Sequence, residues 1–283
     1  MAHIESTAMY GFPVVGNSLG GGRCLAHYRY RMMARQGLEC PMTHSKYRFL
    51  LPNGITFLSL VCGTCSILLS ASTANAGEAQ YNLWLAGLLI LASYVLDLCD
   101  GAAARTFNAG TAFGLQLDSL VDMVSLGLAP AVLLFMYLLR VEGLDPILIG
   151  WFVVLVPLAG AFRLARFNLL PPKTTGNIAS MGLTISTGGT LLTLAVLSDL
   201  TVLSDRVSAY LYLPLIACVS VFMVSTIAFP SLYEVFSEWR KNVVLLVLIG
   251  ISLVFLSFFT ACLFWINAYV GYALLRAGYH RLQ

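Results

Sequence analysis

The sequence predicts an all-α integral membrane protein, and three observations predict it. Of its 283 residues 59% are hydrophobic and only 10% charged, the mean hydropathy is +0.83, and the apolar residues fall in unbroken runs of about 17 or more, long enough to cross a bilayer as helix. A soluble domain carries roughly a quarter charged residues, so that class is excluded.

Taken in order, residues 1–44 differ from the rest. They hold Gly16, Gly20, Gly21 and Gly22, four arginines and three of the four histidines, with no apolar stretch long enough for a secretory signal. They read as a weakly ordered cytoplasmic extension whose basic residues touch anionic lipid. His3, His27 and His44 are spaced too irregularly to suggest a metal site.

A core at 45–228 follows, with expected spans near 50–70, 82–100, 113–139, 147–169, 178–198 and 207–228. The first opens with Asn53 and Thr56, one helical turn apart. It also contains Cys62-x-x-Cys65, which has no second pair or histidine beside it and reads as buried packing. The second and third spans carry the acidic residues treated below, and the fourth ends with Arg163 and Arg166. Residues 229–283 read as a cytoplasmic loop and C-terminal helices. Their apolar run, Val243 to Leu275, is too long for one ordinary span and tight for two with a turn near Phe259 to Asn267.

Positive charge chooses between seven spans and eight, because short cytoplasmic loops concentrate Lys and Arg. With eight spans and a cytoplasmic start, fourteen of the sixteen basic residues fall inside and only Arg140 and Arg206 outside; seven spans would export Arg276 and Arg281 as well. Eight spans with both termini cytoplasmic are therefore expected. The same topology puts Arg105 and the acidic residues at the cytoplasmic face.

Four aspartates interrupt the second and third spans in the pattern Asp97-x-x-Asp100-Gly101-x-x-Ala104-Arg105, eight residues, Gly114-x-x-x-Asp118-x-x-x-Asp122. A carboxylate at the middle of a bilayer costs about 2.5 to 3.5 kcal/mol, so four of them call for compensation by cation, water or substrate. On helices turning about 100° per residue, Asp97 and Asp100 share a face, as do Gly114, Asp118 and Asp122. Two such faces that meet make a pocket of oxygen ligands, which suits hard ions such as Mg²⁺, Mn²⁺ or Ca²⁺. Gly101 and Ala104 leave room beside the backbone, and Arg105 brings a phosphate-binding fork. The combination describes a metal-assisted diphosphate site. Cation transporters also place acids in membrane helices, but usually at the bilayer midplane on broken helices, whereas these bracket a short turn containing an arginine.

The stretch Asp97 to Asp122 resembles the signature of the CDP-alcohol phosphotransferase family at every fixed position. The resemblance implies a six-helix catalytic core, here followed by two C-terminal membrane helices, and a homodimer in the membrane with no nucleic-acid partner. It implies two divalent cations, Mg²⁺ or Mn²⁺, held by Asp97, Asp100, Asp118 and Asp122, with Asp122 also activating the acceptor hydroxyl. Gly101, Ala104 and Gly114 would line the nucleotide pocket with Arg105, Asn53 and Thr56. The flanks Leu51-Pro52-Asn53-x-x-Thr56, Asp118 to Pro130, Arg163 to Asn168 and Met223-Val224-Ser225-Thr226 are similar to those of the phosphatidylserine synthases. CDP-diacylglycerol and L-serine are then the expected substrates, and Arg163, Arg166 and Ser125 the expected contacts to phosphate or acceptor. Other acceptors, glycerol phosphate, inositol phosphate and choline, are the chemical competitors. Two positions depart from the pattern. Leu126 stands where Phe is usual, and Gly182-Leu183-Thr184-Ile185-Ser186 lacks the proline that usually follows Gly-Leu. The second lies where the acceptor pocket would be shaped.

Overall fold

The computed structural model describes residues 46–72, 79–106, 111–140, 144–169, 180–203, 209–229, 248–250, 252 and 256–282. The expectation for residues 1–44 lies outside them. Described residues from Lys46 onward belong to one compact unit. It is an all-α integral membrane protein. Its helices are α1 (Lys46–Ala71), α2 (Ala79–Thr106), α3 (Ala112–Asp122), a π-helical turn π1 (Met123–Leu128), α4 (Ala129–Leu138), α5 (Pro146–Leu169), α6 (Ile185–Ser198), a second π-helical turn π2 (Asp199–Leu203), α7 (Ala209–Val224) and α8 (Phe258–Leu282). Segments α3, π1 and α4 form one continuous rod.

Among the described residues five helices are long and apolar enough to cross a membrane: Pro52–Ala71, Ala79–Ala104, Phe113–Leu138, Pro146–Asn168 and Phe258–Arg276. The first four lie close to the expected bounds. The last corrects the C-terminal reading, because α8 runs unbroken through the expected turn at Phe259 to Asn267, and the break falls earlier, at Leu256 and Ser257. The turn was expected only from the length of the apolar run; within α8, Asn267 Nδ2 simply donates to the Leu263 carbonyl one turn back, at 2.8 Å.

Expected spans 178–198 and 207–228 are also corrected. Their apolar helices are only Ile185–Thr201 and Tyr210–Val224. Hydropathy cannot see the reason, which is a backbone pairing: Ser180–Met181 (β1) lies antiparallel to Ala228–Phe229 (β2), Gly182 N–H donates to Ile227 O at 2.8 Å and Leu183 N–H to Phe222 O at 3.0 Å. Gly182 makes the turn between β1 and α6 with φ +76°, a region open to glycine at little cost.

The rod α3–π1–α4 owes its irregularity to Pro130. Proline has no N–H to give the carbonyl four residues earlier, that of Leu126. The chain answers with a wider turn in which Ala129 N–H reaches back to Val124 O. Gly189 of α6 packs directly on the Leu126 carbonyl, where any side chain would collide. Ile185 at the start of α6 lies against Gly127 and Gly160 in the same way. Small residues thus let α6 sit at the centre of the bundle, where nearly all its side chains are buried.

At the far end of α6 a polar cluster closes the bundle. Asp199, fully buried, accepts hydrogen bonds at Oδ2 from the Tyr137 hydroxyl of α4 and from the Tyr212 hydroxyl of α7 at 3.1 Å. Helix α8 joins it through Ser198 and Thr260, whose hydroxyls are 2.9 Å apart. Cys62 and Cys65 are free thiols of α1. Cys62 is half-buried but Cys65 is exposed, so the packing expectation fails for the second.

Candidate active site

Helices α2 and α3 position the aspartates. Asp97 and Asp100 stand one turn apart near the C-terminal end of α2, and Asp118 and Asp122 one turn apart in α3. Thr111 caps α3 by accepting the Gly114 N–H on its hydroxyl at 2.9 Å. That cap fixes where α3 begins, and therefore which face its two aspartates present.

The two acidic faces meet as expected. Carboxylate oxygens of Asp97, Asp100 and Asp118 all lie within 4.8 Å of one another. Asp122, one turn beyond Asp118 in α3, lies within electrostatic range of Asp97 and Asp118. Three carboxyls converge from two helices with oxygen as their only donor atom, and Asp100 is just 5% exposed. Such a cage fits a hard divalent cation in both donor type and charge.

Neighbouring residues hold the cage in place. Thr56 of α1, itself 5% exposed, donates its hydroxyl to Asp100 Oδ2 at 2.8 Å, with Pro52 O a second acceptor at 3.0 Å. The Asn53 side chain lies beside Gly114, its Oδ1 3.5 Å from where a Cβ would stand. Asn53 and Gly114 are thus neighbours, and Thr56 follows Asn53 by one helical turn. Gly101 and Ala104 continue α2 beyond Asp100, neither fully buried. The expectation for the Arg105 side chain lies outside the described residues.

The three remaining residues meet different fates. Arg163, 8% exposed, lies within electrostatic range of Asp122 and over the Phe167 ring, 6.0 Å from its centroid. Arg166 is engaged elsewhere: Nη1 donates to Val224 O at 3.0 Å, and Nη2 to Met181 O at 3.0 Å and Ser225 O at 3.1 Å. It binds the C-terminal end of α7 and the β1 turn together. Ser125 is fully buried in π1, packs on Gly63 of α1 and donates to Ser59 O at 3.2 Å. Its surroundings are those of a helix-packing residue.

A second polar contact to the cage, like that of Thr56 to Asp100, was not foreseen. Ser186 of α6 donates from Oγ to Asp97 Oδ2 at 3.3 Å. Nothing in the spacing of the aspartates signals a partner 89 residues away; the only hint was that 182–186 departs from the family pattern.

Comparison with known proteins agrees with this geometry. A CDP-alcohol phosphatidyltransferase family model matches residues 49–273. The chain is 33% identical over 230 residues to the CDP-diacylglycerol–serine O-phosphatidyltransferase of Helicobacter pylori, which covers 81% of this chain and 91% of the relative. The protein of the same name from Methanocaldococcus jannaschii is 33% identical over 138 residues, 49% of this chain and 56% of its own length. That from Saccharomyces cerevisiae is 36% identical over 115 residues, 41% of this chain and 40% of its own.

Proposed function

The chain belongs to the CDP-alcohol phosphatidyltransferase family and is a membrane phosphatidyltransferase that draws on CDP-diacylglycerol; from that premise we propose that its acceptor is L-serine and its products are phosphatidylserine and CMP. The observation that carries the reading is the convergence of Asp97, Asp100 and Asp118 oxygens within 4.8 Å. The names of the relatives support serine in particular.

In this reading Asp97, Asp100, Asp118 and Asp122 hold two divalent cations, Mg²⁺ or Mn²⁺. Bound there, the cations would neutralise the diphosphate and make CMP a tolerable leaving group. The chain's own residues supply the rest. Asp122 accepts the proton of the serine hydroxyl while that oxygen attacks the phosphorus nearest the lipid, and the bond from this phosphorus to the CMP oxygen breaks. Such general-base help is worth about 10² to 10⁴ in rate. Arg163, close to Asp122, is suited to hold the serine carboxylate or a phosphate oxygen. Thr56 keeps Asp100 in position, while Asn53 and the small residues Gly101, Ala104 and Gly114 leave space for the nucleotide.

The site faces the cytoplasm in this reading, with both termini on the same side, because that topology keeps fourteen of the sixteen basic residues inside. The deciding experiment incubates purified protein with CDP-diacylglycerol and a panel of serine, glycerol phosphate, inositol phosphate and choline, and follows CMP release. Serine alone should support release. CMP formed with glycerol phosphate but not with serine would overturn the acceptor and leave the family assignment standing.

A further inference from the structure

Helix α6 reaches the acid cage as a fourth helix, beside the two that supply the aspartates and α1, whose Thr56 bonds Asp100. Its second residue, Ser186, donates to Asp97 Oδ2 at 3.3 Å, and the chain on either side of it is tightly held. Upstream, Met181 pairs with Ala228, Gly182 and Leu183 are bonded to Ile227 and Phe222 carbonyls, and Arg166 grips the carbonyls of Met181, Val224 and Ser225. Downstream, Thr184 caps α6 by accepting the Thr187 N–H at 3.1 Å, and Gly189 rests on the Leu126 carbonyl. Little freedom is left for the Ser186 backbone.

We propose that Ser186 is a positioning residue for the metal site: its hydroxyl fixes the rotation of the Asp97 carboxyl, so that this group stands ready beside Asp100 and Asp118 before a cation arrives. A carboxyl with no such partner can turn about its terminal bond and must be ordered when the cation binds. Partners of metal ligands typically account for 10- to 100-fold in affinity. The inference rests on the reading that Asp97 is a ligand.

The test measures Mn²⁺ binding to the purified full chain by the loss of the free-ion electron paramagnetic resonance signal, alongside the Mn²⁺ concentration giving half-maximal CMP release. Ser186→Ala should weaken binding by about 10- to 100-fold and raise that concentration in parallel, with kcat recovering at saturating Mn²⁺. Ser186→Thr, which keeps the hydroxyl, should restore binding. Asp97→Asn separates the two failures. If Asp97→Asn loses Mn²⁺ while Ser186→Ala binds like the parent, the positioning role is wrong and the metal reading stands. If Asp97→Asn also binds like the parent, the metal reading itself fails. Should Ser186→Ala not fold, Ser186→Thr and Ser186→Cys are compared instead, and equal Mn²⁺ affinity in those two overturns the proposal.

Discussion

At the scale of single residues the site is four carboxyls and the hydroxyls that steady them. Asp122 is the residue on which turnover should depend most. Asp122→Asn keeps the size of the side chain but cannot take up the acceptor's proton. CMP release should fall by about 10² to 10⁴, while the melting temperature in detergent should not drop; full activity in this variant would remove the base assignment. Thr56→Val takes away the hydroxyl that Asp100 accepts at 2.8 Å. A buried acceptor stripped of its donor costs about 1 to 3 kcal/mol, so both the melting temperature and CMP release should decrease, and an unchanged pair would show Thr56 to be incidental. The aspartates were legible in the sequence because carboxyls inside apolar runs are too costly to be accidental. Ser186, Arg166 and Ser125 were not, because a hydroxyl or a guanidinium at a helix end has many uses and only its neighbours select one.

Among the elements, the pairings that bring α6 inward matter most. Gly182 holds φ +76°, and a Cβ there would lie 2.7 Å from Met223 O and 2.8 Å from Ser225 O. Gly182→Ala should therefore destabilise the protein by about 1 to 3 kcal/mol, through strain in the left-handed region and crowding together. A thermal melt reads this directly, and a melting temperature equal to that of the parent would refute the tight turn. At the opposite end of α6, Tyr212→Phe removes one donor from the buried Asp199 carboxyl and should cost about 1 to 3 kcal/mol, with CMP release by the folded fraction retained. Helix existence was readable from apolar run length at all four long core spans. The ends of α6 and α7 were not, because a two-residue strand pairing and a positive-φ turn leave no mark on hydropathy.

For the whole molecule, the consequences are metal dependence and sidedness. Chelation of the purified protein should abolish CMP release, and Mg²⁺ or Mn²⁺ should restore it. Ligation of the folded state alone also raises stability, by about 2.7 kcal/mol at a hundredfold excess over Kd, so the melting temperature should climb with added Mn²⁺. Sealed everted vesicles should convert added serine, whereas right-side-out vesicles should not; the opposite result would invert the proposed topology. The amino-acid sequence by itself determined that the chain lives in a membrane, which helices bear the acids, and that those acids share a face on each helix, because run length and helical periodicity are local properties. Only the tertiary structure decided that two further helices, α1 and α6, join the cage, that Arg166 clasps backbone carbonyls and that Ser125 serves packing. Those outcomes depend on which distant groups are brought within hydrogen-bonding reach, and reach is set by the close approaches that glycine and the π-helical turn at Pro130 allow.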